Sequence, residues 1–341
     1  MSTFADVADP DAATPRKGEP ENSLSADVST APGRYRLAVA HEEMNSRRRN
    51  TMEDCHRILS ELDPTLPNYS YFGIYDGHGG RQIVDFLDEA LEQNIAEEIK
   101  QTDNAGVLER MTRAFLITDM QSKKANISTS GATAVCALLK VDPYTAEESN
   151  AAAASNLRIP RELGAISMGV TTPCVSTGSR TLYVANVGDS RAVLVSQQYP
   201  GLHDDEPTPS SGYFATRLTF DHKAEDSMEQ QRIKDAGGFV ARNRVLGILA
   251  VSRSFGDHGM KDFVIAAPHV TESHLPSCGD CPMLILACDG VWDVFEDQDA
   301  ADLLLKRYLK EGPFPDAAEM LVQAAIDKGS ADNVTAIVVF L

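Results

Sequence analysis

The chain has 341 residues, with 31 Lys and Arg against 50 Asp and Glu, a formal net charge of −19. Hydrophobic residues make up 43% and charged residues 24%, ordinary globular usage, and no apolar run exceeds six residues, so a membrane-spanning helix is excluded. A non-specific nucleic-acid binder needs surplus positive charge to displace counterions, and this balance argues against one.

The elements follow in chain order. Residues 1–33 are rich in Ser, Thr, Asp, Ala and Pro, with prolines at 10, 15, 20 and 32 and no apolar period, so a disordered acidic tail is expected there. From residue 34 to 341 strand-like and helix-like segments alternate as one domain. Residues 71–75 are short, aromatic and β-branched, as a buried strand should be. Ile83, Leu87, Ala90, Leu91, Ile95 and Ile99 then recur at helical spacing. A second helix is expected over 107–122, and strands over 131–141 and 182–196. The latter is expected to fold into a hairpin at Gly188-Asp189. Between these strands, 142–179 is an Ala-, Ser- and Thr-rich stretch punctuated by proline, read as an inserted surface loop. A helix is expected over 225–236, stopped by Gly237-Gly238. A strand at 283–288, helices near 298–311 and 315–327, and a last strand at 335–340 complete the series.

Six cysteines (Cys55, Cys136, Cys174, Cys278, Cys281, Cys288) are scattered rather than arranged as a disulfide framework. With no signal peptide evident, a reducing compartment, cytoplasmic or nuclear, is expected. Cys278 and Cys281 form a C-x-x-C pair with no second ligand pair nearby, so it is read as incidental.

The acidic residues repay closer reading. Asp76 follows the 71–75 strand and precedes Gly77-His78-Gly79-Gly80; Asp289 follows the 283–288 strand and precedes Gly290; Asp332-Asn333 precedes the last strand. Strand ends lying side by side can gather such residues at one rim, where like charges are costly unless a cation sits among them. Carboxylates without a Cys or His cluster favour a hard ion, Mg²⁺ or Mn²⁺. Asp-Gly and Asp-Asn are equally ordinary turn residues. Three such sites plus the pair Glu53-Asp54 shift the balance toward a metal centre. His78 is well typed to protonate a leaving oxygen. Arg49, in the run Arg47-Arg48-Arg49 ahead of an acidic pair placed in an expected strand, is well typed to grip phosphate.

Seven blocks then resemble the metal-dependent Ser/Thr protein phosphatases of the PP2C (PPM) type. They are Arg49-Asn-Thr-Met-Glu53-Asp54, Tyr75-Asp76-Gly77-His78-Gly79-Gly80, Ser130-Gly131-Ala-Thr133-Ala and Ala185-Asn186-Val-Gly188-Asp189-Ser190-Arg191. Leu249-Ala250-Val-Ser252-Arg253-Ser-Phe-Gly256-Asp257, Leu286-Ala287-Cys288-Asp289-Gly290-Val-Trp292-Asp293 and Ser330-Ala-Asp332-Asn333-Val334-Thr335 follow in family order.

The resemblance implies an α+β fold: a sandwich of two central antiparallel β-sheets flanked by α-helices. It implies a monomer acting on phosphorylated proteins, with a hydroxide bridging two Mg²⁺ or Mn²⁺ ions as nucleophile. Asp76 would bridge both ions, with the Gly77 carbonyl also a ligand. Asp289 and Asp332 would complete one ion, and Glu53 and Asp54 would hold the other largely through water. Asp189, with Asp289, would serve a weaker third ion. Arg49 would bind the substrate phosphate and His78 would act as general acid, while Asn333 and Asp293 would support the ligands from behind.

One departure falls at about 221–262, the expected flap: Leu246 stands in Arg244-Val245-Leu246-Gly247, where the family commonly has Asn. Two rival readings stand beside this one, a catalytically silent phosphoprotein binder and a hydrolase of small phosphate esters.

Overall fold

The computed structural model describes residues 27–31, 34–143, 178–197, 212–275 and 281–341. Two antiparallel sheets face each other. The first runs in the order β1 (Asp27–Ala31), β2 (Tyr35–Glu43), β14 (Val334–Phe340), β13 (Met283–Ala287), β7 (Arg191–Ser196) and β8 (Phe214–Arg217). The second runs β12 (His269–Leu275), β6 (Gly178–Val187), β5 (Gly131–Pro143), β4 (Tyr69–His78) and β3 (Cys55–Leu59), with the short β11 (Phe255–Gly256) also on β5.

Strand β4 shows how the layers form. Side chains alternate across a strand, so Phe72 and Ile74 enter the core between the sheets, while Tyr71 and Tyr75 enter the core on the opposite face. Both faces are buried, which is why the segment reads as a continuous apolar run rather than an alternating one. The inter-sheet core joins Val135, Leu139 and Val184 of the second sheet to Leu284, Leu286, Ile337 and Val339 of the first.

Helices α1 (Gln82–Ile99) and α2 (Val107–Lys124) cover the outer face of the second sheet through Leu87, Leu91, Met111 and Phe115. A one-turn helix α4 (Asp289–Trp292) follows β13. Helices α5 (Asp297–Glu311) and α6 (Ala317–Asp327) cover the first sheet through Leu304, Leu305, Leu321 and Val322. The expected sandwich with flanking helices is the fold observed.

Three expectations need correction. The stretch 182–196 is not a hairpin: β6 belongs to one sheet and β7 to the other, and the turn at Gly188-Asp189 carries the chain between layers. Both strands are apolar on both faces, so periodicity could not say which sheet each would join. At that turn Gly188 has φ +88°, and a Cβ there would lie 2.4 Å from that of Thr133. The tail expected to reach residue 33 ends earlier, because Asp27–Ala31 pairs with β2 as an edge strand; residues 1–26 lie outside the described residues. The boundaries of the inserted loop also move. Asp142 pairs with Ser179 and Pro143 with Gly178, extending β5 and β6, while 144–177 lie outside the described residues.

Beside the sandwich, α3 (Ser227–Asp235) is capped by the Asp226 carboxylate, which accepts from the Met228 and Glu229 N–H groups. It ends as expected, with the Gly237 and Gly238 N–H groups donating to Lys234 and Ile233 carbonyls. A small hairpin, β9 (Val240–Ala241) and β10 (Arg244–Val245), follows. Leu246 just beyond it has φ +52°, a left-handed conformation that suits Asn better than Leu. Buried Glu229 anchors this region, accepting from Arg232, Arg253 and the Ser252 hydroxyl. Burial opposes its ionisation, but those three donors prevail and hold its carboxyl at about 2.

Candidate metal centre and active site

The acidic residues come from both sheets. Asp76 lies within β4 rather than after it, paired in register with Thr133 of β5. Gly77 and His78 finish the same strand, opposite Ala132 and Gly131. Asp289 opens α4 one residue after β13, with Cys288 between, and Asp332-Asn333 leads into β14. Glu53 and Asp54 do not lie in a strand: they occupy the irregular segment that enters β3.

That segment is stitched to the β14 turn by Asn333. Its amide donates to the Met44 and Thr51 carbonyls at 2.9 and 3.0 Å, and its side-chain oxygen accepts from the Glu53 N–H at 3.0 Å. Asn45, at φ +55°, donates to the Ser330 and Asp332 carbonyls. From the other side the Arg81 guanidinium donates to the Met52 and Asp54 carbonyls. These bonds fix where Arg49, Glu53 and Asp54 sit.

Asp54, Asp76 and the Cys288 thiol have ligand atoms within 4.8 Å of one another, the tightest such trio among the described residues. Burial raises Asp54 to about 6, against the pull of a 2.7 Å hydrogen bond from the Thr335 hydroxyl. Asp76 is pushed well above the usual carboxylate range, first by burial and then by the charges of Asp289, Asp54, Asp189 and Asp332. Asp289 is raised well above it for the same reasons, with Asp189 and Asp332 as its strongest neighbours. Burial drives the Cys288 thiol far upward as well, so it stays protonated, in keeping with a packing role.

Asp189 sits at the crossing between sheets, and burial raises it to about 6 although the Lys223 ammonium, 4.0 Å away, opposes this. Lys223 also faces Asp293 at 3.5 Å, so Asp293 is an exposed member of the group's edge. The Glu53 carboxylate makes no hydrogen bond or ion pair among the described residues and stands outside the tight trio. Its backbone is closer in: a Cβ on Gly77 would lie 2.6 Å from the Glu53 carbonyl oxygen. Arg49 pairs with Asp332 at the exposed rim. His78 Nε2 lies 2.8 Å from Asp257 Oδ2.

The donor set suits a hard divalent cation. At its heart are buried Asp54 and half-buried Asp76 and Asp289, whose strongest charged neighbours are other carboxylates, which is costly without a counter-charge. The backbone is cut to fit as well, since a Cβ on Gly290 would lie 2.0 Å from the Asn333 carbonyl oxygen.

Residues 38–146 and 141–334 match the family model described as protein phosphatase 2C. Protein phosphatase 2C homolog 1 of Saccharomyces cerevisiae is 35% identical over 308 residues, spanning 90% of this chain and 94% of that protein. Protein phosphatase 2C homolog 1 of Schizosaccharomyces pombe is 31% identical over 306 residues, spanning 89% and 73%. Among solved structures, a phosphatase from a pathogenic strain of Toxoplasma gondii aligns with a TM-score of 0.65 at 25% identity, over 92% of this chain and 95% of that one. A serine-threonine phosphatase 2C from the same organism gives 0.64 at 19% identity, over 92% and 97%, and bears on the fold alone. A two-sheet sandwich with a carboxylate centre at its rim thus has phosphatases as its relatives. The chain belongs to the protein phosphatase 2C family and is a protein phosphatase of that type.

Arg81, Asn45, Lys223 and Asp257 were not among the expected site residues. Asp257 stood inside one of the seven blocks, but nothing in the sequence ties it to His78. The Asp-Gly-His spacing marked one partner only.

Proposed function

We propose that this phosphatase hydrolyses phosphoserine and phosphothreonine in proteins, using two Mg²⁺ or Mn²⁺ ions held by Asp76, Asp289, Asp332 and Asp54, with the Gly77 carbonyl and Glu53 at the edge. The observation that carries this reading is geometric: ligand atoms of Asp54 and Asp76 lie within 4.8 Å of each other, with Asp289 and Asp332 at the ends of neighbouring strands, and burial and neighbouring carboxylates raise Asp54, Asp76 and Asp289. When bound, such a pair of ions neutralises phosphoryl oxygens and lowers the pKa of water between them.

The chain's own residues supply the rest. Arg49, on an exposed loop, turns its guanidinium from Asp332 to the substrate phosphate and orients it for in-line attack. His78, at the end of β4 and one-third exposed, gives a proton to the departing Ser or Thr oxygen. Buried Asp54, bonded to Thr335, and Asp76, locked in the β4–β5 ladder, hold their carboxylates with little freedom to rearrange. Asp189 offers a position for a further, weaker cation, in competition with Lys223.

The test is phosphate release from a phosphothreonine peptide in EDTA and after addition of Mg²⁺ or Mn²⁺. Turnover is expected only with the ion. Its absence under both conditions would overturn the reading and favour a silent phosphoprotein binder; turnover confined to small esters would favour the other rival.

A further inference from the structure

We infer that Asp257 positions His78 for catalysis, accepting the Nε2–H so that Nδ1 is the nitrogen that faces the leaving oxygen. This rests on the proposed role of His78. The two residues are 179 positions apart, on β4 and on the turn after β11, and the bond between them is 2.8 Å. A carboxylate behind an imidazole fixes both ring orientation and tautomer, because it can only accept.

The surroundings are built around this pair. Asp257 is held at φ +46° and ψ +36°, a left-handed conformation costly for any residue with a side chain and least so for Asp or Asn. Its carboxylate also accepts from the Ser254 hydroxyl at 2.5 Å, and its N–H donates to the Ser130 carbonyl. A second acid, Asp119 of α2, pins the turn from beneath by accepting from the Gly256 N–H at 2.9 Å and from Lys261 at 3.0 Å. Lys261 in turn donates to the Ser254 carbonyl. Burial works against ionisation of Asp257, but the bonds from His78 and Ser254 hold its carboxyl below the ordinary range.

Gly131 supplies an independent mark. It lies opposite His78 in the β4–β5 ladder and opposite Gly256 on β11. A Cβ there would fall 2.1 Å from Asp257 Oδ2 and 2.3 Å from His78 Nε2. The hydrogen bond passes directly over this Cα, and any side chain would part it. Chemically, as the phosphorus–oxygen bond to the Ser or Thr oxygen breaks, that oxygen takes the Nδ1 proton. The ring, an imidazolium with a proton on each nitrogen before the transfer, is left as neutral imidazole, its remaining Nε2 proton shared with Asp257.

The experiment compares a phosphothreonine peptide with p-nitrophenyl phosphate, whose leaving group needs little protonation, using the full chain with Mn²⁺. Asp257→Asn keeps a residue that tolerates the left-handed turn. It should lower kcat on the peptide by roughly tenfold to a hundredfold while changing p-nitrophenyl phosphate turnover less than about threefold. Gly131→Ala should give the same selective loss with both partners present. His78→Gln combined with Asp257→Asn should cost no more than His78→Gln alone. Equal losses on the two substrates, or additive losses in the double variant, would overturn the inference. Nitrogen NMR of the wild-type His78 ring reads it without any variant: a proton on Nε2 supports it, and a bare Nε2 overturns it. If the wild type shows no metal-dependent turnover on either substrate, the phosphatase mechanism itself fails, a result distinct from normal turnover with an unaffected Asp257→Asn.

Discussion

Arg49 and Asp332, 283 residues apart in sequence, meet in an ion pair at the rim where the two sheets come together. One side chain is the phosphate-binding candidate and the other a candidate metal ligand, so each occupies the other's place of work. Both are partly exposed, and such pairs contribute only about 0–1 kcal/mol, so substrate and cation can separate them at little cost.

Arg49→Ala is therefore expected to leave the melting temperature nearly unchanged and to raise KM for a phosphothreonine peptide about tenfold or more. A hydrogen bond between charged groups is worth about 1.5–3 kcal/mol. Steady-state kinetics at saturating Mn²⁺ check this. An unaltered KM would remove Arg49 from the phosphate site.

Asp76→Asn separates stability from activity. It keeps the shape of the side chain while removing one of the mutually repelling charges around Asp289 and Asp54. In EDTA the variant should melt a few degrees above the wild type, since about 1 kcal/mol moves a domain of this size by about 2–4 °C. Mg²⁺ or Mn²⁺ should raise the wild-type melting temperature but hardly that of the variant, and phosphate release should vanish. A variant that melts lower than the wild type in EDTA would mean that Asp76 is satisfied without a cation.

His222 sets an acid limit on the fold. It is buried near the start of the 221–262 segment, its ring nitrogen 3.2 Å from the Gly188 carbonyl, and burial followed by the Arg253 charge depresses it to about 3. Between the ordinary histidine value of 6.5 and about 3, the unfolded chain binds a proton that the folded chain refuses. Stability should thus fall with falling pH in that window, by up to about 1.4 kcal/mol per unit from this group. Urea melts of wild type and His222→Asn from pH 7 to pH 4.5, with Mn²⁺ present, should show the shallower slope in the variant. Parallel slopes would assign the acid sensitivity elsewhere.

The α1 face and the Gly237-Gly238 stop were readable because they rest on contacts within a few residues. The strand 69–78 was readable as buried but not in extent, since Asp76 and His78 are held in the ladder by partners on β5. The split of 182–196 between sheets was invisible for a different reason: a strand apolar on both faces does not name its neighbour. At the site, the aspartates were legible by residue type and position at strand ends, whereas Asn333's three bonds and the His78–Asp257 pair join segments far apart in the chain. Leu246 was legible as a departure, and its φ of +52° now gives that departure a backbone cost.

The chain's passage from one layer to the other at Gly188-Asp189 has a mechanical consequence. Asp54 and Asp76 ride on one layer, Asp289 and Asp332 on the other, and Asp189 on the strap between. A cation held by both sets, as proposed above, would act as a rivet through the sandwich, resisting shear of the layers. Cutting the chain into its two sheets would leave two half-sockets, neither able to close on an ion.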